Sequence, residues 1–152
     1  DLIGPYGYAH DISRTWMADG SPDDRQRRLY AACFEHVHRN MDLLKPGLSF
    51  LELMEKGFCY PPELAEQNFT TIFHGLGLEN EWPIIMSPDK LHIPGAYGGG
   101  YDGFLEAGMT LCIESYAGER GGPDGVKLEE MVLITETGAE PLGLTPYQED
   151  WL

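Results

Sequence analysis

The 152-residue sequence has few basic residues: it contains 10 Lys and Arg against 25 Asp and Glu, a formal net charge of −15. This excess of negative charge argues against nucleic acids and anionic membranes as partners, because both would repel the protein. It favours metal cations or cationic small molecules as ligands. Solubility in a salty or acidic environment would explain the same charge, so the composition alone leaves both interpretations open.

The sequence also lacks long apolar runs and a cysteine framework. No stretch has the length and hydrophobicity of a transmembrane helix, and no signal-peptide pattern is present. The three cysteines, Cys33, Cys59 and Cys112, are widely spaced and form neither a disulfide framework nor a zinc-ribbon pattern. We therefore expect a cytoplasmic protein. Because the sequence starts at Asp1, inside what reads as a sheet, we also expect a fragment or a processed chain.

Two helices are predicted in the first half of the chain. Ser21 as N-cap, followed by a proline and acidic residues, predicts a helix that ends near Lys45. Ser49 and Glu52 form a capping box that predicts a shorter helix ending at Gly57. A third short helix is expected after the proline pair that follows. Two histidines of the first helix, His36 and His38, are expected to face solvent.

Strands are predicted on both sides of these helices. Turn residues predict a hairpin over residues 1–16, and a long loop rich in glycine, proline and tyrosine is expected over 86–103. This order of elements predicts an α+β fold, an antiparallel sheet with flanking helices in one domain. The clearest strands lie at 70–74, 109–115 and 126–135.

Carboxylates occupy strand positions that should face a core. Glu114 shares a strand face with Cys112, Glu129 shares one with Met131, and Asp11 lies on an arm of the predicted hairpin. Burying a carboxylate is unfavourable unless it is paired or binds a metal. Because ten basic residues cannot neutralise 25 acids, a bound cation explains the pattern well. Structural salt bridges remain the alternative.

A histidine at a strand end, in the segment IFHGLGLENEWP, extends this set. His74 lies between an apolar run and two glycines. Together with the acids it makes a donor set rich in oxygen and poor in nitrogen. Such a set suits one or two divalent ions of Fe, Mn, Co or Zn better than a structural tetrahedral zinc. The alternative is an ordinary buried histidine beside acids at a sheet edge.

Four separated motifs resemble, in chain order, those of the pita-bread metalloenzymes: DISRT, FHGLGLENEWP, GMTLCIES and GVKLEEMVLITETG. That family includes methionine aminopeptidases, proline-specific peptidases and creatinases. The resemblance covers residues 1 to about 138. It implies that residues 1–152 are the C-terminal part of a pita-bread catalytic domain, incomplete in this chain.

The resemblance also implies a set of metal ligands. The family binds one or two divalent ions through Asp, Asp, His, Glu and Glu, in that chain order, and the corresponding residues are Asp1, Asp11, His74, Glu114 and Glu129. The spacing from Asp1 to Asp11 is one residue shorter than is usual in the peptidases. It resembles the pita-bread lyases that cleave dimethylsulfoniopropionate (DMSP) to dimethyl sulfide and acrylate. In that branch a further Asp would precede Asp1 by two residues.

Three positions depart from the pattern of one branch or the other. Glu81 replaces the second histidine of the peptidases, which disfavours peptide hydrolysis. Asn80 replaces the aspartate that serves the lyases as proton-abstracting base, and an amide cannot accept a proton at neutral pH. Phe69 replaces a tyrosine of the lyases. Asn80 and Glu81 are the catalytic candidates at these positions.

Aromatic side chains are the candidates for substrate binding, because a sulfonium cation is stabilised by aromatic faces. They are Trp82, Tyr97 and Phe69, each of which could instead serve only packing. The sequence thus predicts a small-molecule substrate and a metal-dependent lyase. A metallohydrolase of the Xaa-Pro peptidase or creatinase type and a non-catalytic binding module remain alternatives. The resemblance further implies a homodimer.

Overall fold

The structure is a computed structural model that describes residues 1–64, 71–88 and 103–152. Within these residues β1 pairs with β2 in an antiparallel hairpin. The other five strands form an antiparallel sheet in the order β4-β3-β5-β6-β7. The elements are β1 (Leu2–Ile3), β2 (Ala9–His10), α1 (Asp24–Leu43), α2 (Phe50–Lys56), β3 (Thr71–Leu76), β4 (Asn80–Met86), β5 (Thr110–Gly118), β6 (Gly125–Ile134) and β7 (Ala139–Pro141).

Helix α1 starts two residues later than the sequence predicted. Its N-cap is Asp23 rather than Ser21: the Asp23 side chain accepts a hydrogen bond from Gln26 N at 2.7 Å, and the Gln26 side chain accepts one from Asp23 N at 3.0 Å. This reciprocal pairing satisfies two free backbone donors, which explains why the helix begins there. The helix ends at Leu43, slightly before the expected Lys45.

The prediction for α2 is confirmed. Ser49 and Glu52 form the capping box, with both hydrogen bonds at 3.0 Å, and the helix ends with Gly57 as C-cap. The expected third helix is not seen up to residue 64, where the chain forms a turn, and its remainder lies outside the described residues.

Helix α1 packs on one face of β5 and β6. Its residues at i, i+4 and i+8, Leu29, Cys33 and Val37, are fully buried, as the periodicity predicted. A separate small apolar cluster, Leu76, Cys112 and Met131, lies among the sheet residues. The sheet thus has a helix-covered face and a second face that carries the candidate site.

His36 contradicts the expectation that it faces solvent. It is buried, with its ring stacked on that of Tyr60 at a centroid distance of 4.7 Å. The helix turns this residue toward the segment that follows α2, where an aromatic partner covers it.

Two strands were not predicted, β4 and β7. β4 was obscured by acidic residues at its start and by Pro83, because proline and charge are unusual in strands. Glu81 has a positive φ of 67°, and the Trp82–Pro83 bond is cis. Strands β3 and β4 approach so closely that a Cβ at Gly75 would overlap the backbone of Trp82. Residues 89–102 of the expected loop lie outside the described residues.

None of the helices in the described ranges is long and apolar enough to cross a lipid bilayer.

Candidate metal centre

Three adjacent strands bring the predicted ligands onto one face of the sheet. His74 on β3 is paired in register with Cys112 on β5, and Glu114 on β5 is paired with Glu129 on β6. Because alternate residues of a strand share a face, all four side chains project to the same side. His74 Nε2 lies 3.3 Å from Glu129 Oε1. One donor atom each from His74, Cys112 and Glu129 lie within 4.8 Å of one another.

The N-terminal hairpin brings Asp11 to this cluster. Asp11 is buried, and its carbonyl oxygen accepts a weak hydrogen bond from the Cys112 thiol at 3.8 Å. The amino group of Asp1 lies 3.4 Å from Asp11 Oδ1, so the two predicted aspartates are neighbours. The structure therefore brings Asp1 beside Asp11 and Asp11 beside the strand cluster.

Ser13 contacts Glu129, the most buried carboxylate of the candidate site. Its backbone pairs with that of Glu129, with Glu129 N to Ser13 O at 3.0 Å. Its hydroxyl donates to Glu129 Oε2 at 2.9 Å. Sequence reasoning did not single out Ser13, although it lies in the DISRT motif only two residues after Asp11.

Lys127 is the second residue of the site that sequence reasoning missed. Its ammonium lies 2.9 Å from Glu114 Oε1 and 3.2 Å from Glu129 Oε2, so it bridges both carboxylates. The period of two was the available signal, because Lys127 and Glu129 must share a strand face. Lys127 is therefore a counter-ion that Glu114 and Glu129 share.

The protonation equilibria reflect this crowding of negative charge. Burial lowers the pKa of His74, but the hydrogen bond to Glu129 and the charges of Glu81 and Glu129 outweigh it, so the pKa is raised. Burial raises the pKa of Glu114 despite its contact with Lys127. Burial acts the same way on Glu129, yet the His74 hydrogen bond and the Lys127 charge leave its pKa lowered. A divalent cation would relieve this repulsion.

The donor set fits a divalent transition-metal ion. It combines one imidazole nitrogen with several carboxylate oxygens in a buried setting, and two of these carboxylates share the ammonium of Lys127. Mn, Fe, Co and Zn accept such mixed nitrogen and oxygen ligands. A metal held there could act as a Lewis acid toward a substrate oxygen.

The other candidate residues lie in different places. Glu81 is exposed, and its charge contributes to the raised pKa of His74. Trp82 lines a cavity of about 290 Å³ whose walls include Phe50, Leu105 and Leu111 but none of the predicted metal ligands. Phe69, Tyr97 and the side chain of Asn80 fall outside what the structure describes.

Known proteins resemble this chain in sequence over most of its length. The sequence model of metallopeptidase family M24 matches residues 1–136 of this chain. Dimethylsulfoniopropionate lyase DddP of Roseovarius nubinhibens is 41% identical over 148 residues, which are 97% of this chain and 32% of that protein. Xaa-Pro dipeptidase of Pyrococcus furiosus is 33% identical over 143 residues, 91% of this chain and 36% of that protein. The chain thus spans about a third of the length of these relatives.

Solved structures agree with the predicted fold. Prolidase from Pyrococcus furiosus matches with a TM-score of 0.69 and 32% identity over 91% of this chain and 38% of that one. A putative aminopeptidase P from Bacillus anthracis matches with a TM-score of 0.72 and 25% identity over 95% and 35% of the two chains. These likenesses confirm the α+β pita-bread fold. With the match over residues 1–136, they show that the chain belongs to metallopeptidase family M24.

Proposed function

We propose that this chain contributes the metal-binding side of a metal-dependent lyase that cleaves DMSP to dimethyl sulfide and acrylate. The observation that carries the proposal is the identity of 41% to a DMSP lyase over 97% of the chain, against 33% to an Xaa-Pro dipeptidase. The replacement of the second peptidase histidine by Glu81 supports the same choice.

We assign the metal ligands as Asp1, Asp11, His74, Glu114 and Glu129, holding one or two ions of Fe, Mn, Co or Zn. The support is the shared strand face of the last three and the position of Asp11 against Cys112. A bound ion would polarise the substrate carboxylate and stabilise negative charge at the adjacent carbon.

The proton-abstracting base is assigned to Glu81. It is an exposed carboxylate whose charge acts on His74, whereas the neighbouring Asn80 offers only an amide. In the proposed step Glu81 takes the proton from the α-carbon, and the electron pair of that bond forms the carbon–carbon double bond. As this double bond forms, the carbon–sulfur bond at the other carbon breaks, and sulfur leaves with its electron pair as neutral dimethyl sulfide.

We assign binding of the substrate's sulfonium group to three aromatic side chains, those of Trp82, Tyr97 and Phe69. The support for Trp82 is its partly exposed indole in the cavity of about 290 Å³, which Glu79 also lines. An aromatic face beside a carboxylate suits an organic cation. The net charge of −15 would attract such a substrate over a longer range.

The test is a product assay on the complete gene product. With DMSP and added Fe²⁺, Mn²⁺, Co²⁺ or Zn²⁺, we expect dimethyl sulfide in the headspace and acrylate in solution, and no ninhydrin-positive product from Xaa-Pro dipeptides. Peptide hydrolysis without dimethyl sulfide would establish the second candidate, a hydrolase of the Xaa-Pro peptidase or creatinase type, which the prolidase likeness favours. If neither product forms and the protein binds no metal, the remaining candidate is a non-catalytic binding module.

Position 80 gives a sharper test of the base. Asn80→Asp restores the carboxylate that the lyases use, so it should raise the rate of DMSP cleavage. Glu81→Gln should lower that rate without weakening metal binding. If Asn80→Asp gives no gain and Glu81→Gln no loss, the assignment of the base to this pair of positions is wrong.

We further propose that the protein is a homodimer and that it is cytoplasmic. The β1–β2 hairpin exposes apolar side chains, with Leu2, Ile3 and Tyr6 each more than half accessible, as an interface would require. All three cysteines carry free thiols, in keeping with a reducing compartment. Light scattering coupled to size exclusion should give twice the mass of one chain.

A further inference from the structure

The segment that follows β7 lies beyond the residues matched by the family model, yet it binds closely to the strand that carries Glu129. Leu142 N donates to Met131 O at 2.8 Å, and Gly143 N donates to Glu130 Oε1 at 3.1 Å. The Tyr147 hydroxyl donates to Glu130 Oε2 at 3.1 Å. We name residues 142–147 the C-terminal segment. It lies along the edge of β6 continuously with β7.

The C-terminal segment completes a buried ion pair. Arg14 and Glu130 form a salt bridge whose two side chains are each only 3% exposed. The Arg14 guanidinium lies over the Tyr147 ring, 3.9 Å from its centroid, and Arg14 Nε donates to Thr145 O at 3.0 Å. Buried ion pairs are stable only when their remaining donors and acceptors are satisfied. Here residues 143, 145 and 147 satisfy them.

The arginine of this ion pair is also hydrogen-bonded to residues of the candidate metal centre. Arg14 Nη1 donates to the carbonyl oxygen of Glu129 at 2.6 Å and to that of Ser13 at 3.1 Å. Ser13 in turn pairs with the Glu129 backbone and donates its hydroxyl to the Glu129 carboxylate. A continuous set of bonds therefore runs from Tyr147 through Arg14 to Ser13 and Glu129.

We propose that Tyr147 is a positioning residue: through Arg14 and Glu130 it fixes Ser13 and the backbone of Glu129, and so holds the Glu129 carboxylate in the orientation that binds the metal. This inference rests on the proposed metal-binding function. Residues that orient metal ligands from outside the ligand set commonly affect metal affinity by roughly 10–100-fold.

The test compares two hydroxyl deletions in the complete gene product. Tyr147→Phe removes only the hydrogen bond to Glu130 and keeps the ring under Arg14. Tyr60→Phe removes a buried, hydrogen-bonded hydroxyl on the helix-covered face of the sheet and serves as the matched control. Co²⁺ affinity is measured by calorimetry at a temperature where all variants are folded, and metal-free thermal unfolding is recorded in parallel.

We expect Co²⁺ binding about 10-fold weaker in Tyr147→Phe and unchanged in Tyr60→Phe. Tyr147→Leu, which also removes the ring from Arg14, should weaken binding further. Wild-type Co²⁺ affinity in both Tyr147 variants, even with a lowered melting temperature, would show a purely structural role and overturn the proposal. Absence of Co²⁺ binding by the wild-type protein would instead contradict the proposed function itself.

Discussion

The two faces of strands β5 and β6 both bury polar groups, but they balance them differently. On the helix-covered face the Tyr60 hydroxyl contacts Ser115 Oγ and lies 3.4 Å from Cys33 Sγ. Ser115 donates to Cys33 O, and the Cys33 thiol donates to Val126 O, each at 3.3 Å. Among the described residues this network contains no charged group, and its members satisfy one another.

On the opposite face the described residues bury charged groups instead. Glu114 and Glu129 share Lys127 as counter-ion, with Asp11 and His74 close by. The comparison teaches that burial of polar groups is not in itself a sign of function. What marks the candidate site is that several carboxylates share few counter-ions among the described residues, in a setting that water solvates poorly.

The largest expected effect is a loss of metal affinity that occurs for a substitution on the site face and not for one on the helix-covered face. Glu129→Gln keeps the shape of the side chain and removes its charge, so Co²⁺ affinity should fall by roughly 100-fold or more. Ser115→Ala, one residue from Glu114 but on the other face, should leave the affinity unchanged. Calorimetric titration of both variants checks this. Equal affinities in the two variants would remove the distinction between the faces.

A second, smaller effect concerns the counter-ion. Lys127→Met leaves Glu114 and Glu129 without their shared ammonium, so the metal-free protein should lose about 1–2 kcal/mol of unfolding free energy. This is less than for a fully buried pair, because the lysine is about one-third exposed. Lys127→Arg keeps the charge and is the control.

Urea unfolding with and without Co²⁺ measures the Lys127 effect. Added metal should recover most of the loss in Lys127→Met, since the cation then balances both carboxylates. Equal stability of Lys127→Met and Lys127→Arg without metal would show that the charge balance of this face does not depend on the lysine.

The neutral network should respond only in stability. Tyr60→Phe removes one hydroxyl from the helix-covered face, which should cost about 1 kcal/mol of unfolding free energy. Co²⁺ affinity should stay at the wild-type value, because no charge on the site face changes. Weaker metal binding in this variant would indicate that the two faces are coupled through the sheet.

The smallest effect concerns the reactivity of the two buried thiols, Cys33 and Cys112, which lie next to opposite faces of the sheet. Burial raises the pKa of Cys33 to about 11. Burial, and then the charge of Glu129, raises the pKa of Cys112. Because the thiolate is the reactive form, only the partly exposed Cys59 should react quickly with a disulfide reagent at pH 8. More than one fast thiol per native chain would contradict this.

The sequence predicted local structure well where one signal dominated. The capping box of α2 and the core periodicity of α1 were both confirmed, because each depends on residues within two or three turns. The N-cap of α1 was misplaced, since Ser21 and Asp23 are both good caps and only the pairing with Gln26 decides between them. β4 was missed because its acids and proline mask the strand pattern.

The sequence named several of the residues that the structure brings together at the candidate site, but not all of them. Acids at strand positions and His74 pointed to one cluster, and the strand registers bring His74, Glu114 and Glu129 onto one face. The Lys127–Glu114 contact and the Arg14–Glu130 pair were missed because the partners lie on another strand or far along the chain. Such contacts depend on sheet register and on the path of the C-terminal segment, which periodicity does not reveal.

The most direct measurement is anomalous X-ray scattering from crystals of the complete gene product grown with Co²⁺. The account predicts an anomalous peak at the cobalt absorption edge beside His74 Nε2 and the carboxylates of Glu114 and Glu129. A peak elsewhere, or none while these side chains keep their present contacts, would contradict it.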